Sequence, residues 1–253
     1  MGHIRLGDLY KTRRWVQVIA LLDKQAEPQA IASQSMAAAE IGFLKAANDV
    51  GFKYTVWLLT QVPLAAKESD FSSALNKLGL GVPKEAGLFD VLGAFTKHID
   101  SYLQRSKART DISEMAQLAA VEAFSRRCGE SCLFGVTHDT VQKTIKDLST
   151  NKNFALLARD FFSRFTYRYL NYFLSREVSK HVGPGLSIES IDKHTSFNEA
   201  LELHCRQSAV ILQQFAGGWY SKKAYETGIT QEDAGGFTAV ALKKLSSELT
   251  EGT

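Results

Sequence analysis

From Asn151 to Val182 the chain runs for thirty-two residues without a glycine or a proline. Within that run Phe154, Leu157, Phe161, Phe165, Tyr169 and Tyr172 recur every three or four residues. This is the period of one helical face, so the spacing predicts a single helix over 151–182, a rod of roughly 45 Å. Gly183, Pro184 and Gly185 stop it, and Lys180 and His181 sit in the last turn, where the helix dipole is negative.

Helical spacing also dominates the rest of the chain. Trp15, Val18, Ile19 and Leu22 form a stripe behind Thr12, which is placed to cap it, although the β-branched content leaves a strand open there. Pro28 opens an Ala-rich helix through Ala47 that Gly51 is expected to stop. Phe52–Leu64 reads as a nearly all-apolar core helix limited by Pro63. Ser69 or Asp70 caps a short helix to Leu78. Leu88, Val91, Leu92, Phe95, Ile99 and Leu103 mark an amphipathic helix ending at Arg105, Lys107 and Arg109. Asp111 with Glu114 resembles a capping box before Met115, Leu118, Val121 and Phe124. Further helices are expected over Thr137–Leu148, over Phe197–Trp219 and from Thr230 and Asp233 to Leu249.

Hairpin signals and fixed repeat periods are missing, which argues against sheets and the common solenoids. The expectation is an all-α fold, a single compact bundle of nine or ten helices around the long one. Residues 1–253 read as a single domain; the alternative is two lobes, 1–149 and 150–253, sharing the long helix.

Composition excludes more than it selects. A hydrophobic fraction of 45%, a charged fraction of 23% and a net charge of +3 describe an ordinary globular chain, not a disordered or strongly polyanion-seeking one. Three cysteines, Cys128, Cys132 and Cys205, are too few and too odd in number for a secreted disulfide framework. Residues 1–8 carry no apolar stretch after a basic start, so no signal peptide is expected. The longest uncharged stretches, Tyr54–Ala66 and Gln207–Tyr220, fall short of the ~20 residues that a bilayer requires. The expected location is therefore cytoplasmic. No P-loop, dinucleotide fingerprint, H-E-x-x-H, G-x-S-x-G or kinase pattern occurs, and no histidine follows a glutamate at the di-iron spacing. No catalytic residue, metal or cofactor is assigned.

Three groups of residues remain as candidates. The first is the basic face of the long helix, where Lys152, Arg159, Arg164, Arg168, Arg176 and Lys180 stand against Asp160 and Glu177, a local balance of +4. With interleaved tyrosines and a second cluster at Arg105 and Arg109, it has the ingredients of a single-strand nucleic-acid surface. The same residues spread over a broad arc opposite the phenylalanine stripe, as on any solvated amphipathic helix. The second group is Gly217 and Gly218, read as ending a helix and freeing Trp219 and Tyr220, together with Gly235 and Gly236 inside the last helix. Two interior glycines cost about 2 kcal/mol of helix propensity, so close packing or a partner-facing surface is expected to offset them. The third is Cys128, Cys132 and His204 with Cys205, which could serve a metal- or thiol-dependent enzyme but read more simply as buried side chains.

The favoured expectation is a non-enzymatic helical interaction protein. It would be a subunit or adaptor of a larger cytoplasmic assembly, of the type that bacterial defence operons contain. Nucleic-acid binding along 152–180 is the alternative, and thiol or metal chemistry the second.

Overall fold

The long run folds as one α-helix, Asn151–Val178, and tightens into a 3-10 turn at Ser179–His181. The α-helix therefore ends four residues before the expected Val182, at the point where the hydrogen bonds shorten ahead of Gly183. The computed structural model describes residues 6, 12–129, 137–183, 185–186, 188–226 and 228–251. Among them are eleven α-helices, slightly more than the expected nine or ten, and no strand. They are α1 (Arg13–Asp23), α2 (Pro28–Lys45), α3 (Val50–Ala65), α4 (Phe71–Lys77), α5 (Leu88–Ser106), α6 (Asp111–Gly129) and α7 (His138–Asp147). The remaining four are α8 (Asn151–Val178), α9 (Ile191–Ser208), α10 (Ala216–Glu226) and α11 (Gln231–Glu251).

The helix count rises because the stretch expected as Phe197–Trp219 breaks. It becomes α9, a 3-10 turn at Ala209–Gln214, and α10. Gly217 and Gly218 thus open α10 instead of closing the helix before it. Gly51 likewise lies inside α3, behind the Asp49 side chain that caps it by accepting from the Phe52 N–H at 2.8 Å. It stops nothing. A Cβ at that position would collide with the Ser113 and Leu103 side chains, so glycine is required by the close approach of α5 and α6.

Several starts follow local capping chemistry. Thr12, Asp70, Thr137 and Thr150 each accept a backbone N–H three residues on. At α11 the exchange is reciprocal: the Thr230 N–H donates to Asp233 Oδ2 and the Asp233 N–H to Thr230 Oγ1, both at 3.1 Å. For α6 the reciprocal pair is Thr110 with Ser113, both at 2.9 Å, one residue upstream of the expected Asp111 and Glu114. Asp111 instead accepts from the Leu6 N–H at 2.7 Å, and Glu114 pairs with Arg109.

Helix α8 runs through the middle of the bundle. It packs against α6 on one side and against α9, α10 and the 209–214 turn on others, while α11 crosses α2 and α3. Its first half is buried on nearly every side, from Phe154 to Thr166, so the simple two-faced helix expected there exists only toward its C-terminal end. Phe165 meets Phe52 edge-on at 4.5 Å and stacks near Phe43 at 5.9 Å, and Phe161 and Phe162 also contact Phe52. Tyr169 donates its hydroxyl to the Ala39 carbonyl at 2.8 Å, in space left by Gly42. One continuous apolar core extends from Trp15 to Leu249. No helix among the described residues is long and apolar enough to cross a membrane.

Candidate functional site

The structure distributes the cations of α8 among several neighbours. Arg164 Nη1 donates to Glu122 Oε2 on α6 at 3.0 Å, and Arg168, one turn on, binds the other oxygen of the same carboxylate. Arg127 of α6 binds the buried Asp160, with Arg126 Nε 4.0 Å from the same oxygen. Arg159 reaches the Arg206 carbonyl at the end of α9 through two 3.4 Å contacts. Arg176 lies over the Tyr172 ring at 5.5 Å, and Lys180 Nζ is 2.8 Å from Glu177. Lys152 and Arg105 are exposed, whereas Arg109 bridges Asp100 at 2.8 Å and Glu114 at 3.1 Å. The candidate residues of this group therefore do not form one surface. Arg164 and Arg168 belong to a seam between α6 and α8. The sequence reading missed Glu122, Arg126 and Arg127, because only the register between two distant segments brings them to α8.

The described thiol candidates are buried. Cys128 and Cys205 are both fully buried, and burial pushes the Cys205 thiol far above its ordinary value. A nucleophilic cysteine needs the opposite shift. His204 Nε2 is buried with no hydrogen-bond partner, and desolvation lowers the pKa of the ring. Cys132 lies outside the described residues. Cys128 on α6 and His204 on α9 belong to different flanks of α8, and no group of three or more His, Cys, Asp or Glu side chains among the described residues could hold a metal ion.

A second pair went unrecognised in the sequence. Tyr54 Oη of α3 and His98 Nε2 of α5 lie 2.6 Å apart, and the Tyr54 ring stacks on Tyr102 at 3.6 Å. Burial is the main cause that lowers the His98 pKa and raises that of Tyr54. Their separation of forty-four residues leaves no local signal. The pair ties α3 to α5.

The residues of the glycine group divide sharply. Tyr220 is fully buried, stacked on Phe154 at 3.9 Å with an 11° tilt, and so does not face outward. Trp219, its neighbour in sequence, turns the other way and lies flat on Phe237 of α11 at 4.2 Å. Phe237 in turn meets Phe215 at 5.8 Å. Together with Gly236 and Val240 these rings line an open groove of about 400 Å³, with Glu232 and Asp233 at one end. Val240 is 49% exposed, and Lys244 Nζ stands 5.7 Å from the Phe215 ring. Asp233 is held down to about 2 by Lys223 at 2.7 Å and by its Thr230 hydrogen bonds.

In each glycine pair one member is packed and the other is not. A Cβ on Gly217 would strike the Asn151 backbone at the start of α8, and one on Gly235 would lie 3.0 Å from the Lys53 stem. Gly218 and Gly236 face open space. The glycine at 236 keeps the groove floor bare between Trp219 and Val240. No protein-family model, curated protein or solved structure matches the chain.

Proposed function

We propose that this protein is a non-enzymatic helical subunit or adaptor of a cytoplasmic assembly, and that the α10–α11 groove receives an apolar helical segment of another protein. The observation that carries this reading is a pair of half-buried aromatic rings, Phe215 and Trp219, that lie with the exposed Val240 over the buried Phe237 and beside a helix-interior glycine. Phe215, Trp219, Phe237 and Val240 supply apolar contact, and Gly236 lets a second backbone come close. A helix-interior glycine whose Cβ would meet open space costs about 1 kcal/mol of helix propensity, which a partner in the groove would offset. Burial of Cys128 and Cys205 draws support away from thiol chemistry at those two positions. Nucleic-acid binding along 152–180 draws less support, because Arg164 and Arg168 already answer to Glu122.

Affinity capture from the source cells tests the reading, with wild type and Gly236→Arg compared side by side. A stoichiometric partner held by wild type and lost with a Gly236→Arg protein of unchanged helical content supports it. Equal recovery of every associated protein on both baits overturns it.

A further inference from the structure

The α6–α8 seam carries more cationic capacity than its own carboxylates use. Arg127 with Asp160 at one level, and Glu122 with Arg164 and Arg168 at the next, show that the two helices run antiparallel. Four guanidinium groups, Arg126, Arg127, Arg164 and Arg168, line the described seam against two carboxylates, Asp160 and Glu122. Each guanidinium offers five N–H donors, more than two carboxylates can accept, and the buried Nε atoms of Arg164 and Arg168 have no acceptor.

The two carboxylates are not equivalent. The Asp160 side chain is 5% exposed and fixed between α6 and α8, whereas that of Glu122 is 41% exposed. Glu122 is therefore the exchangeable anion: it is open to solvent and sits where two guanidinium forks converge from one face of α8. A phosphomonoester would bring three oxygens and a second negative charge to the same forks.

We infer that the α6–α8 seam is a binding site for a phosphomonoester, in which Glu122 occupies the place of the incoming phosphate. Convergence of both forks on one point favours a terminal phosphate over the extended diester backbone of a nucleic acid. The site lies on a different pair of helices from the α10–α11 groove, and the inference does not depend on the function proposed for that groove. No bond is made or broken; the ligand displaces the Glu122 carboxylate, which swings into water.

The experiment is a titration of the full chain with inorganic phosphate, with a nucleoside monophosphate, and with a single-stranded oligonucleotide lacking terminal phosphates. It is followed through the Nε–Hε NMR signals of the arginines and by calorimetry at low salt. Expected is saturable binding of inorganic phosphate and of the monophosphate with a Kd of about 1 mM or tighter, shifting the Arg164 and Arg168 signals. Glu122→Gln tightens it about tenfold. Arg168→Lys keeps the charge but loses the fork, and weakens binding at least as much. Tighter binding of the monophosphate than of inorganic phosphate assigns the source to a nucleotide, and equal binding assigns it to the free ion. Absence of saturation in both wild type and Glu122→Gln overturns the inference. So does an oligonucleotide that binds more tightly than either phosphate.

Discussion

The α6–α8 seam and the α10–α11 groove are built from opposite materials and are finished to different degrees. The seam joins two helices through charge, and the groove walls join two helices through stacked rings. Asp160 and Glu122 give most of the seam's arginines an internal partner. In the groove Phe237 is covered by Trp219, but Trp219 and Phe215 stay half-buried, and Val240 and Gly236 remain open. The density of charged residues in a sequence therefore does not locate the surface available to another molecule. The basic helix α8 spends much of its charge internally, whereas Gly236, one member of a glycine pair, borders the opening.

Substitutions on either side separate the seam from the groove. The largest effect is expected at the buried end of the seam. Asp160→Ala leaves Arg127 without its carboxylate beside the core and is expected to cost about 3 kcal/mol in urea denaturation. Gly217→Ala comes next, at about 1–3 kcal/mol, because the added methyl meets the Asn151 backbone, which cannot move without shifting the start of α8. Gly236→Ala has the opposite sign. Nothing lies within contact of its Cβ, and the gain in helix propensity raises stability by about 1 kcal/mol. Similar stabilities for the two alanine variants would remove the distinction between a packed and an open glycine. Glu122→Gln, at the exposed end of the seam, is expected to change stability by less than about 1 kcal/mol.

The smallest lever is pH. His204 and His98 both have folded-state pKa values lowered by desolvation. Above the ordinary histidine pKa of about 6.5 the rings are neutral in folded and unfolded chains alike, and contribute no pH dependence. As pH falls below it the unfolded chain takes up the protons first, so stability declines until the lowered folded pKa values are passed. Denaturation midpoints measured from pH 7.5 down to about 5 should show this slope, and His204→Leu should flatten it.

Much of the architecture was legible because it is local. Thr12, Asp70, Thr137 and Thr150 announce helix starts within three residues of themselves, and the Phe154–Tyr169 stripe announces the central helix by its period. The misreadings have a common physical origin. Gly51 and Gly217 read locally as helix stops because glycine is a poor helix former, yet both are dictated by atoms far away in the chain: Ser113 and Leu103 for one, Asn151 for the other. The outward reading of Tyr220 failed because adjacent residues on a helix diverge by about 100°, which sends Trp219 to the groove and Tyr220 to the core. The seam was invisible for the same reason as the Tyr54–His98 contact. Glu122 and Arg164 are forty-two residues apart, and nothing local in either segment points to the other.

Amide hydrogen exchange on the chain alone and with the partner proposed for the groove compares the two regions in one measurement. New protection on complex formation is expected in α10 and α11, around Phe215–Val240, with α6 and α8 unchanged. Protection that falls on α6 and α8 while α10 and α11 exchange as in the free chain would contradict it.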